Sequence, residues 1–145
     1  MKRWAVVLNH VACALVGLSG IAFGVMKYFL PASDPDSRVS HPWQQPMLKL
    51  HLLSAPFLIF ALGLVFSGHA LARLKGGVDP GRVSGAGLLG LAAPLILTGA
   101  LIQILTGDAA RQWTGWIHAA LGAVYVFAYT AHLLKKRPPG EDSPG

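Results

Sequence analysis

His118 and His132 stand fourteen residues apart on a stretch from Gln112 to Leu134 that contains no Asp, Glu, Lys or Arg. At 100° and about 1.5 Å per residue, fourteen positions return to nearly the same helical face roughly 21 Å further along. Both imidazoles therefore look to one side of one apolar helix, at two depths. An imidazole in such a setting is costly to leave unpaired and marks a functional site. Its neutral ring nitrogen is also a good ligand for iron. The other helical histidines fall into register with this pair: His51 stands near the start of a second charge-free stretch, His69 near its end, and His10 about two turns into the first. Two depths with histidines on facing helices point to two stacked haems. Cys13 is the only cysteine, so there is no iron–sulfur or zinc cluster of cysteines, no disulfide framework and no covalent c-type haem attachment. Each haem is then a haem b, with an imidazole above and an imidazole below its plane.

Histidines at set depths require long helices to carry them. The chain is 53% apolar and 12% charged, and its charges leave gaps at 4–26, 50–72, 83–107 and 112–134. Each gap exceeds the roughly 20 residues that a helix needs to cross the hydrocarbon layer. The expected fold is all-α: an integral membrane four-helix up-down bundle, with spans at about 4–30, 47–73, 83–106 and 112–134. These form one domain over 1–137, followed by a disordered tail at 138–145. The first span, although preceded by Lys2 and Arg3, is too long and lacks the small-residue cleavage site of a secretory signal, so it is retained as helix one. The segment PASDPDSRVSHPWQQP at 31–46 is rich in turn formers and is the only sizeable outer loop. His41 within it faces solvent or a partner rather than a metal.

Basic residues set the orientation. Lys2, Arg3, Arg73, Lys75, Arg82, Lys135, Lys136 and Arg137 fall on one side, whereas Lys27, Arg38, Lys49 and Arg111 share the other with Asp34, Asp36 and Asp108. Both termini are therefore expected in the cytoplasm. The net charge of +6 reflects topology and contact with the lipid bilayer. No basic stripe or aromatic pattern suggests nucleic acid.

On this layout His51 and His118 lie in the outer half, and His10, His69 and His132 in the inner half. The outer pair is His51 with His118. For the inner pair His132 has two possible partners, His69 and His10. The separation from His51 to His69 is about 27 Å along a helix, against about 21 Å on the fourth, and tilt absorbs such a mismatch.

The chain resembles the four-helix cytochrome b subunits of respiratory formate dehydrogenases and membrane-bound nickel–iron hydrogenases. The likeness rests on a histidine in helix one (LNHVAC), one at the start of helix two (LKLHLLSAP), and two fourteen apart on helix four (WIHAALGAVYVFAYTAHLL). It implies iron ligation by His51 with His118 and by His10 with His132. It also implies a bacterial inner (cytoplasmic) membrane location, a quinone site near the inner haem, and a periplasmic redox partner such as a cytochrome c, an iron–sulfur subunit or a hydrogenase. The fourteen-residue spacing is also similar to the quinol-oxidising cytochrome bc complexes, a pattern that selects His69 as the fourth ligand. If His69 is not a ligand, an imidazole at that place suits proton exchange with quinone.

Small residues accompany the histidines: Ala14, Gly17, Gly20 and Gly24 on helix one, and Gly122 on helix four. They leave room for a flat macrocycle or let helices pack closely. Thr114, four residues before His118, is placed to fix that ring's tautomer. Tyr125 and Tyr129 read as core or haem-packing residues, and Asn9 and Gln103 as polar groups for a headgroup or a neighbouring helix. Two other classes remain: a haem-free membrane anchor subunit of a respiratory complex, and a small histidine-relay transporter hinted at by Pro56 and Pro94.

Overall fold

The computed structural model describes residues 3–32, 39–67 and 80–134, with side chains from residue 84 onward in the last segment. Four helices fill it: α1 (Arg3–Tyr28), α2 (Gln44–Val65), α3 (Pro80–Ile104) and α4 (Asp108–Leu134). All four are long and apolar enough to cross a membrane. Even α2, the shortest at 22 residues, extends about 33 Å, against a hydrocarbon layer of about 30 Å.

The helices outrun the charge-free stretches, because a charge marks where a side chain meets water and not where backbone bonding stops. In α4 the first turn holds Asp108, whose carboxylate favours the positive end of the helix dipole, and the Arg111 N–H donates to the Gly107 carbonyl at 2.9 Å. Only Leu105, Thr106 and Gly107 then separate α3 from α4, which makes the two antiparallel neighbours. Before α2, the Trp43 N–H donates to His41 Nδ1 at 3.2 Å and the Ser40 N–H to Gln44 Oε1 at 2.9 Å. His41 thus shapes the turn leading into α2. Pro46 falls in the first turn, where its missing N–H costs nothing. Helices α2 and α3 run on through Pro56 and Pro94, without the break that a transporter reading calls for. Residues 68–79, with His69, Arg73 and Lys75, lie outside the described residues, as does the chain beyond Leu134.

Helix α1 packs along α2 and α3 along α4, and the two hairpins meet over a shorter stretch between α1 and α4. The buried positions of the first hairpin are mostly small, with Ala5, Ala12 and Ser19 on α1 and Ser54 and Ala61 on α2, which lets backbones approach closely. All four helices meet where Leu88, Ala92 and Tyr125 are packed by Cys13, Leu62, Leu91 and Leu95. Large apolar side chains point outward instead: Leu53 is 70% exposed and Phe127 77%. An apolar exterior around a small-residue interior is the pattern of helices solvated by lipid.

Candidate functional site

Helices α2 and α4 bring His51 and His118 face to face, with ring centroids 6.1 Å apart and planes at 81°. Both rings are half-buried. Their hydrogen bonds decide which nitrogen carries the lone pair. His51 Nδ1 lies 3.0 Å from the Val16 carbonyl on α1. A carbonyl only accepts, so Nδ1 carries the proton and Nε2 keeps its lone pair. His118 Nδ1 lies 3.0 Å from Thr98 Oγ1 on α3. That hydroxyl commits its own proton to the carbonyls of Pro94 and Leu95, at 2.8 and 3.1 Å. It therefore accepts from His118 Nδ1–H, which puts the ring's lone pair on Nε2; the ring also meets the Leu95 carbonyl. Each hairpin thus orients its own imidazole and leaves the metal-binding lone pair on Nε2.

Two glycines make this seating possible. A Cβ at Gly20 on α1 would stand 2.9 Å from His51 Cε1 and 3.0 Å from its Nδ1, and one at Gly99 on α3 would stand 3.2 Å from His118 Cε1. Gly20 is also four residues beyond Val16, at the place where a side chain would screen the Val16 carbonyl. Gly24, one turn further along α1, faces open space.

The donor set favours a particular kind of metal. Among the described residues no group of three or more His, Cys, Asp or Glu side chains gathers to hold an ion. Two imidazoles alone form a poor cage, but they suffice for iron whose four in-plane ligands come with a macrocycle. Metal–imidazole bonds are about 2 Å long, so two rings on opposite sides of one metal have centroids roughly 6 Å apart. The 6.1 Å separation is of the size that two imidazoles sharing one metal would need.

The inner histidines are arranged differently. His10 Nδ1 is hydrogen-bonded to the Tyr129 hydroxyl, and Asn9 Nδ2 donates to the same oxygen at 3.4 Å. Tyr129 stacks at 9° on Tyr125, with centroids 6.3 Å apart. His132 Nδ1 shares a hydrogen bond of 2.8 Å with the Ser84 hydroxyl on α3. The structure does not bring His10 and His132 into ring contact. It ties His10 to α4 three residues from His132, which is less than one turn. His69 falls outside the described residues.

Several expectations about neighbouring residues change. Thr114 donates to the Ala110 carbonyl of its own helix at 2.8 Å; the partner of His118 is Thr98, on a different helix. A residue four positions back competes with its own backbone for that hydroxyl, whereas Thr98 faces the ring across the α3–α4 contact. A Cβ at Gly122 would meet Leu95 at an ordinary 3.9 Å. Tyr129, expected as packing, is a hydrogen-bond partner of His10. Val16, Thr98 and Gly99 went unmarked, because their roles depend on which helix lies opposite. Adjacent Thr98 and Gly99, a hydroxyl beside a missing side chain, were the only local hint.

Comparisons with protein-family models, curated protein sequences and solved structures return no match.

Proposed function

We propose that this chain is a di-haem cytochrome b of the bacterial cytoplasmic membrane, carrying electrons between a periplasmic redox protein and the membrane quinone pool. The facing imidazoles of His51 and His118, each with Nδ1 committed to its own hairpin and the lone pair on Nε2, carry this reading. On it, His51 and His118 hold the outer haem and His10 and His132 the inner one. His10 is preferred to His69 because Tyr129 ties its ring to α4 close to His132. The distribution of basic residues puts both termini in the cytoplasm.

When bound, each haem would supply a one-electron iron couple. The protein's own residues do the rest. The Val16 carbonyl and the Thr98 hydroxyl hold the outer rings in the ligating tautomer and orientation. Gly20 and Gly99 provide the seats, and the outward apolar side chains keep the site at membrane depth. Roughly 21 Å of α4 separates the two levels. His69, at the cytoplasmic end of the second span, is assigned to proton exchange with the quinone.

A reduced-minus-oxidised optical spectrum of the purified protein, with pyridine haemochrome quantification, tests the proposal. Two b-type haems per chain are expected. Protein made with ample haem that binds none would overturn it and leave the haem-free membrane anchor as the function.

A further inference from the structure

Lys27 and Arg111 stand at the outer ends of α1 and α4, on the side that the distribution of basic residues leaves poor in cations. Topology therefore does not call for them. Each sits seven residues, two full turns, from the outer imidazole pair: Lys27 from Gly20, whose open face seats His51, and Arg111 from His118 itself. Seven residues return to within about 20° of the same face, about 10 Å further out. Both exposed cations consequently lie on the helix faces that carry Gly20 and His118, outward of the imidazole pair.

Tertiary contacts bring the two together. Tyr28 packs against Trp116 with centroids 4.1 Å apart and planes tilted by 30°, and its hydroxyl lies 3.0 Å from where a Gly115 Cβ would stand. The end of α1 is thereby held against α4 one turn inward of Arg111. Among the described residues, no carboxylate is ion-paired with either cation. The Lys27 side chain lies against two aromatic rings of its own helix. It is exposed and leans toward the N-terminus of α1, as helical side chains do, with its ammonium 5.6 Å from the Phe23 ring centroid and 5.2 Å from that of Tyr28. Phe23 lies one turn deeper than Lys27, toward Gly20.

We infer that Lys27 and Arg111 form an anion clamp above the outer imidazole pair, binding a carboxylate or phosphate. Two sources share that chemistry: the propionates of the haem held by His51 and His118, and the phosphate of a lipid headgroup. A propionate as the anion rests on the haem reading, whereas the clamp itself does not.

The test is the pair of variants Lys27→Met and Arg111→Gln, singly and combined, with Lys27→Arg as the conservative rescue. Haem retention on dilution in detergent is followed for each of the two haems, and native mass spectrometry follows retained phospholipid. With a propionate clamp, loss of a charge-assisted hydrogen bond weakens retention of one haem about tenfold. The other haem then serves as the internal control for folding, and Lys27→Arg restores the loss. With a phosphate clamp, both haems stay and a retained phospholipid disappears. Unchanged haem and lipid retention in all variants would overturn the clamp. Wild-type protein that binds no haem would sink the electron-transfer proposal but leave the lipid measurement to decide the clamp. If the double variant fails to fold, either single variant still decides.

Discussion

Replacing Gly20 by Ala tests the seating of the outer pair with one methyl group. The added Cβ would stand 2.9 Å from His51 Cε1 and 3.0 Å from its Nδ1, whereas carbon atoms rest at about 3.5–4.0 Å. The imidazole must retreat by roughly 0.6 Å or more, and it is not free to do so. Its Nδ1–H is bound to the Val16 carbonyl at 3.0 Å, and its partner ring is 6.1 Å away. Overpacking costs about 1–3 kcal/mol and the weakened hydrogen bond about 1 kcal/mol. A total of roughly 2–4 kcal/mol corresponds to a loss of about 30- to 1,000-fold in affinity for the outer haem. The expected outcome is one haem per chain by pyridine haemochrome, with the remaining haem unchanged in its reduced-minus-oxidised spectrum. Ala is the stronger helix former by about 1 kcal/mol, so weakened α1 helicity does not explain such a loss. Gly90→Ala on α3, where a Cβ meets nothing within 4 Å, keeps both haems. Two haems with unaltered spectra in Gly20→Ala would refute the seating of His51 against α1.

Other substitutions separate the two levels of the bundle. His51→Ala and His118→Ala should each remove the same single haem, and their combination should remove no more, because either leaves one axial position empty; haem per chain reads this directly. Thr98→Val deletes the acceptor for His118 Nδ1–H, and an effect of about 10- to 100-fold on binding of the outer haem is expected, with a shift in its potential seen by redox titration. Tyr129→Phe removes the hydroxyl that holds His10 and should alter the low-temperature spectrum of the inner haem alone. His10→Ala against His69→Ala identifies the fourth ligand: loss of the inner haem is expected from the first, and loss from the second alone would transfer that role to His69.

The lengths of the charge-free stretches, the fourteen-residue register of His118 and His132 and the position of His51 along its helix were all legible along the chain. They are one-dimensional quantities, set by the rise of a helix and the thickness of a hydrocarbon layer. Thr114 shows where such reasoning stops. Its spacing from His118 was suitable, yet its hydroxyl is taken by its own backbone, and Thr98 on the neighbouring helix holds the ring instead. Likewise, Gly20 read as one of several small residues, and only the approach of α2 singles it out as the seat of His51.

By itself, therefore, the sequence determined that four apolar helices exist and where along them His10, His51, His118 and His132 fall. Tertiary structure decided that the rings of His51 and His118 meet, that their Nδ1 atoms are engaged and their lone pairs sit on Nε2, and that Tyr129 holds His10. The reason is physical. Helix rise and side-chain polarity act within a segment, but a hydrogen bond across helices depends on the rotation and spacing of two segments packed together. No single stretch of chain encodes those alone.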